Sequence, residues 1–129
     1  MSAVLHVRLK RVYEPVEPAD GARFLVERLW PRGLRREDAH LTAWLKDVAP
    51  SPELRRWFHH DPARWEEFQR RYRAELAEPA KQALVQELVA AARRGPVTLV
   101  FAARDTEHNA AVVLKDLIEE LAAADEGVR

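Results

Sequence analysis

Residues 97–103, Val-Thr-Leu-Val-Phe-Ala-Ala, are rich in β-formers and show almost no apolar–polar alternation. A strand can lack a polar face only where both of its faces are covered, which is the situation of a central strand in a layered sheet. Gly95-Pro96 stops a preceding helical stretch over 80–94, where Leu84, Leu88 and Ala91 turn inward. After the strand, Ala110, Val113, Leu114, Leu117, Ile118 and Leu121 trace one stripe of a closing helix, with fraying expected past Ala124. Strand, helix, strand and helix imply a parallel pairing with a helical crossover. The expected fold is therefore α/β: a single layered domain with a mostly parallel central sheet flanked by helices. A length of 129 residues suits one such domain, spanning 1–129, and is too short for two.

The remaining elements follow from period and punctuation. Val4, Leu5, Val7 and Leu9 nearly alternate with His6, Arg8 and Lys10, predicting a first strand with one buried face. Glu14-Pro15 and Glu17-Pro18 block regular structure, and Asp20-Gly21 places a residue tolerant of positive φ just before the next apolar run. A second strand is predicted over 24–30, charged near its end at Glu27 and Arg28 and stopped by Pro31 and Gly33; a third is predicted over 42–48. Ser51-Pro52 and Asp61-Pro62 each read as an N-cap followed by proline at the first helical position. The first opens a short helix bearing Leu54, Trp57 and Phe58, the second a longer one bearing Trp65, Phe68, Tyr72 and Leu76.

Composition narrows the chemistry. Lys+Arg and Asp+Glu both number 21, so the chain as a whole has no electrostatic attraction to nucleic acid, although local basic clusters remain. The absence of cysteine excludes thiol nucleophiles, disulfides and thiolate metal sites. Residues 1–10 lack the apolar core of a signal peptide, and no run approaches the ~18 apolar residues of a membrane span. A soluble cytoplasmic protein without a membrane partner is expected.

In open α/β sheets ligands gather outside the carboxyl ends of the strands, and three segments are placed to end there. They carry Arg28, Trp30 and Arg32; Lys46 and Asp47; and Arg104, Asp105, His108 and Asn109. Their convergence would make a cationic cleft for a small anion such as phosphate or carboxylate, since guanidinium offers two parallel donors. His108 is the candidate general acid or base, with Asp47 or Asp105 beside it and Asn109 orienting. The alternatives are structural: Arg28 paired with Glu27 or Asp47, Arg32 solvated, Asp105 simply capping the last helix, and His108 on a surface turn. His59-His60-Asp61 is not read as a metal site, because adjacent helical histidines diverge by about 100° and Asp61 is already a cap. His60 stays a candidate cleft residue, and no metal or cofactor is expected.

Four tryptophans lie near basic residues, an arrangement that can stack bases. Trp57 and Trp65 nevertheless fit apolar helical stripes, while Trp30 and Trp44 are left open. Arg70-Arg71 and Arg93-Arg94 alternate with glutamates as solvated helix faces do, and Arg55-Arg56 is read in the same way. A nucleic-acid face is a minority reading.

Lys10-Arg11-Val12-Tyr13, Val26-Glu27-Arg28-Leu29-Trp30-Pro31-Arg32-Gly33, Trp44-Leu45-Lys46-Asp47-Val48-Ala49-Pro50-Ser51, Leu54-Arg55-Arg56-Trp57-Phe58, His60-Asp61-Pro62, Trp65-Glu66-Glu67-Phe68, Arg71-Tyr72 and Ala103-Arg104-Asp105 with Glu107-His108-Asn109 together resemble the YeaO-like family, domain of unknown function 488, over about positions 8–121. The resemblance implies a bacterial, cytoplasmic, single-domain α/β protein with no established reaction. It also implies a shared role for Arg28, Arg32, Lys46, Asp47, Ser51, His60, Arg104, Asp105, His108 and Asn109. Wider relatives carry cysteine in the segment where this chain has Ala103 and His108, so thiol chemistry does not carry over. Two functions are compatible with these residues. One is a pocket for a nucleotide or phosphorylated metabolite, with hydrolysis or group transfer if it is an enzyme. The other is a non-catalytic module binding nucleic acid or protein.

Overall fold

The computed structural model describes residues 7–127. Its strands are β1 (Val7–Arg11), β2 (Ala22–Leu25), β3 (Ala43–Trp44) and β4 (Val97–Phe101), and its helices are α1 (Arg36–Ala39), α2 (Pro52–Phe58), α3 (Trp65–Leu76), α4 (Pro79–Arg94) and α5 (Ala110–Gly127). The sheet order is β1-β4-β2-β3, with every neighbouring pair parallel. β4 lies between two partners and all five of its residues are buried, as its lack of alternation requires. No helix among the described residues is long and apolar enough to cross a membrane.

Strand pleating divides the sheet into two unlike faces. Val7, Val97 and Ala22 form one cross-strand row and Leu9, Leu99 and Phe24 the next. Both rows join the main core with Phe68, Tyr72, Leu88, Val89, Leu114 and Ile118 from the helices. The intervening rows, Arg8–Thr98–Arg23 and Lys10–Val100–Leu25, face the other way. Sequence alternation predicts that β1 leaves this second face to solvent, yet Lys10 is only 7% exposed and Arg23 only 3%. The connection from β1 to β2 folds over them and inserts Asp20, which is fully buried.

Asp20 binds Lys10 Nζ at 3.0 Å and Arg23 Nη1 at 2.7 Å, while its carbonyl accepts the Thr98 hydroxyl at 2.8 Å. Burial pushes the Asp20 carboxyl upward, but the Glu17 amide, Lys10 and Arg23 together outweigh it and hold the group below its ordinary value. Gly21 makes the turn possible. Its φ of +62° is left-handed, and a Cβ there would sit 2.2 Å from the Pro96 carbonyl oxygen.

Two boundaries differ from expectation, while Val4 and Leu5 of the predicted first strand lie outside the described residues. β2 ends at Leu25, although the Val26 amide still donates to the Val100 carbonyl at 3.1 Å. β3 keeps only two residues, because the carbonyls that follow are claimed by helices. Tyr72 Oη donates to Val48 at 2.6 Å, and Lys81 Nζ donates to Asp47 at 2.6 Å and to Ala49 at 3.1 Å. Residues 46–48 become a 3-10 turn instead of a ladder. Both proline-marked starts are present: the Ser51 hydroxyl accepts from the Leu54 amide at 3.2 Å, and Asp61 accepts from Ala63 at 3.0 Å ahead of α3. Glu75 also reaches back from α3 to the Ser51 hydroxyl at 2.6 Å, so it is a latch rather than a solvated face residue.

Candidate functional site

A cavity of about 590 Å³ opens beyond the carboxyl ends of β2 and β4. Val26, Glu27 and Arg28 enter it from β2, and Phe101, Ala102 and Ala103 from β4. α2 supplies Arg55, Arg56 and Phe58, with His59 and His60 just past its end, and α5 supplies its first residues, Ala110 and Ala111. The floor is aromatic, with Phe58 stacked on Phe68 at 4.2 Å between centroids. The rim is cationic. Among the described residues, three arginines and two histidines line the cavity, against Glu27 as the sole acidic residue.

Arg28 is the unusual member. Its Nε is buried without a hydrogen-bond partner, and among the described residues its guanidinium makes no ion pair, either with Glu27 or with Asp47. Arg23 also leaves Nε without a partner, but its other two nitrogens bind Asp20 and the Ala39 carbonyl. Arg55 and Arg56 likewise make no ion pair among the described residues. A guanidinium partly withdrawn from water and given no acceptor carries a desolvation cost that an incoming anion would relieve.

His59 and His60 adopt φ of +47° and +52°, so they are not on the helix as the sequence suggested. The left-handed conformation costs roughly 1–2 kcal/mol for a side-chain-bearing residue. The His59 amide donates to Arg55 and the Asp61 amide to Phe58, which closes α2 and puts both rings at the cavity wall.

The loop before α5 is closed on itself. Asp105 Oδ1 accepts from the amides of Glu107 at 2.9 Å and His108 at 3.0 Å, and Oδ2 meets His108 Nδ1 at 3.0 Å. The Glu107 amide, with His108, holds the Asp105 carboxyl below its ordinary value. The imidazole stands edge-on to Trp65, 5.2 Å between centroids. Asn109, 5% exposed, caps α5 by accepting from the Val112 amide at 3.1 Å and anchors the loop by donating to the Asp105 carbonyl at 2.8 Å. The cap expected of Asp105 therefore belongs to Asn109, and Asp105 caps the turn upstream. With Asn109 at the N-cap, the first residues of α5, and with them the positive end of its dipole, border the cavity.

Of the predicted residues, Arg28, His60 and Asn109 line the cavity together, whereas His108, Asp47, Asp105, Trp30, Arg32, Lys46 and Arg104 do not. Trp30 and Trp44 pack edge to face at 5.4 Å, with Arg36 over both rings and Lys46 over Trp44. Asp47, Arg32 and Arg104 are exposed. Sequence reasoning passed over Glu27, Arg55, Arg56 and His59. A signal was present for Arg55, which has no acidic residue three or four positions away, whereas Arg70 and Arg71 both pair with Glu67.

The model of the family described as the inactive DUF488-N3 subclade matches residues 6–129. An uncharacterised protein of Mycobacterium tuberculosis is 46% identical over 112 residues, covering 87% of this chain and 92% of its own. The uncharacterised protein YeaO of Escherichia coli is 40% identical over 117 residues, covering 91% of this chain and 100% of its own. No solved structure matches the chain significantly.

Proposed function

Because the chain belongs to the DUF488 family, in the subclade described as inactive, we propose that it binds a small anionic ligand, a nucleotide or phosphorylated metabolite, without transforming it. The observation that carries this reading is Arg28: a guanidinium whose buried Nε is unbonded among the described residues, at the wall of a cavity whose other arginines also lack acidic partners among them. An anionic group there would accept paired hydrogen bonds from Arg28 and meet the N-terminus of α5. The cavity volume lies within the usual ~300–1,000 Å³ of small-molecule sites.

Binding is favoured over hydrolysis or transfer by three facts. The matched subclade is described as inactive, cysteine is absent, and His108 is engaged by Asp105 and Trp65 away from the cavity lining. The nucleic-acid reading is disfavoured because Arg64 and Arg71 already stack over Trp57, leaving that ring little face for a base.

A thermal-shift screen of nucleotides and sugar phosphates tests the proposal. A ligand at 100 times its Kd should stabilise the fold by about 2.7 kcal/mol, and Arg28→Ala should remove that response. No shift with any phosphorylated compound, or a full shift retained in Arg28→Ala, overturns it. Mobility retardation of single-stranded DNA by the protein would favour the nucleic-acid alternative instead.

A further inference from the structure

Resting on the anion reading above, we infer that Glu27 is the specificity-determining residue of the cavity, selecting anionic ligands whose ring also presents an N–H donor. A carboxylate is a liability in a site for anions unless the ligand brings it something to accept. Glu27 is nevertheless the one acidic residue in the cavity lining among the described residues, and it is held firmly. Its Oε2 accepts from the Ala102 amide at the end of β4 at 2.9 Å, and its carbonyl accepts from Trp44 Nε1 at 2.6 Å. Glu27 is thus tied to the strands on both sides of β2. Among the described residues Oε1 has no hydrogen-bond partner, and no cation pairs with the group.

Glu27 and Arg28 are adjacent in sequence, opposite in charge and both on the cavity wall, yet they do not pair with each other. Each keeps its capacity for a third party: Arg28 offers donors and Glu27 offers an acceptor. Phe58, Phe68, Phe101 and Val26 provide apolar surface in the same space. The complementary ligand is a flat ring with an anionic group for Arg28 and an imino or amino hydrogen for Glu27, as a nucleobase bearing a phosphate has. A partly buried acceptor discriminates against an analogue lacking the donor, because ligand binding then desolvates it for nothing.

Titration calorimetry on the full chain tests this with matched probes: UMP against N3-methyl-UMP, AMP against purine riboside 5′-monophosphate, and inorganic phosphate. At least one parent nucleotide should bind about tenfold or more tightly than its donor-less counterpart. Glu27→Gln keeps an oxygen for the Ala102 amide but turns an N–H toward the ligand, so the gap should shrink to within about twofold while phosphate binds as well or better. Equal binding of both members of each pair by the wild type, or an undiminished gap in Glu27→Gln, overturns the role of Glu27 while leaving the anion reading intact. Failure of every probe, phosphate included, overturns both. The wild-type comparison stands even where the variant does not fold.

Discussion

Two regions of this domain treat their arginines in opposite ways. On the crossover face, Arg23 and Lys10 converge on Asp20, Glu17 joins from the same loop, and Thr98 binds the Asp20 carbonyl. At the carboxyl ends of the strands, Arg28, Arg55 and Arg56 line a cavity and pair with nothing among the described residues. A buried charge that is fully answered by the chain has no capacity left for a ligand; its role is to hold two segments in one arrangement. A charge the chain leaves unanswered at a cavity wall costs stability in the empty protein and is worth keeping where something else answers it. The contrast separates scaffold from site without appeal to any reaction.

The largest effect is expected where the answered cluster is opened. Asp20→Asn leaves Arg23 without its counter-charge and Lys10 with Glu17 alone, and should cost about 3–5 kcal/mol in urea unfolding at neutral pH. Because the Asp20 carboxyl is held below its ordinary value, its contribution is fully present above the unfolded aspartate pKa of about 3.9 and is lost as pH falls through the folded value. Wild-type stability should therefore decline on that acid limb, and Asp20→Asn should lack this component. A small change would mean that the cluster is no more structural than the cavity. Next in size is Gly21→Ala, which combines a left-handed φ with a Cβ 2.2 Å from the Pro96 oxygen and should cost about 2–3 kcal/mol.

On the cavity side the structural cost should be smaller. Asn109→Ala removes the α5 cap and its hold on the Asp105 carbonyl, an expected loss of about 1–2 kcal/mol by thermal melting. A further, separate weakening of anion binding would show that the helix terminus has to be positioned for the ligand. Unchanged binding would confine Asn109 to the fold.

What the sequence makes legible divides along the same line. The buried character of β4, the proline-marked starts of α2 and α3, and the stripe of α5 are local, since each depends on periodicity or on a cap a few residues away. The crossover face was not legible, because Lys10 looks like the solvent side of an alternating strand until Asp20 folds over it from ten positions downstream. Nor was the truncation of β3, which follows from Tyr72 and Lys81 claiming its later carbonyls across long sequence separations. The candidate site was legible in position, at the strand ends, and partly in membership. Arg28, His60 and Asn109 line the cavity, while Arg55 and Arg56 look in sequence like Arg70-Arg71, a pair bound to Glu67. Composition cannot distinguish an answered arginine from an unanswered one; only the position of the nearest carboxylate can.

The finest test is one of sign. If Arg28 contributes to the fold as Arg23 does, replacing it with Met should destabilise the protein by several kcal/mol, as expected when a paired buried charge is removed. If its guanidinium is unanswered, Arg28→Met keeps most of the side-chain volume, removes a buried Nε that bonds to nothing, and should leave stability unchanged or raise it by up to about 1 kcal/mol. Melting the wild type and this variant with and without inorganic phosphate gives both readouts together. The wild type should be the less stable or equal protein alone and the more strongly stabilised one with phosphate, whereas a variant that melts several degrees lower without ligand would place Arg28 with the scaffold.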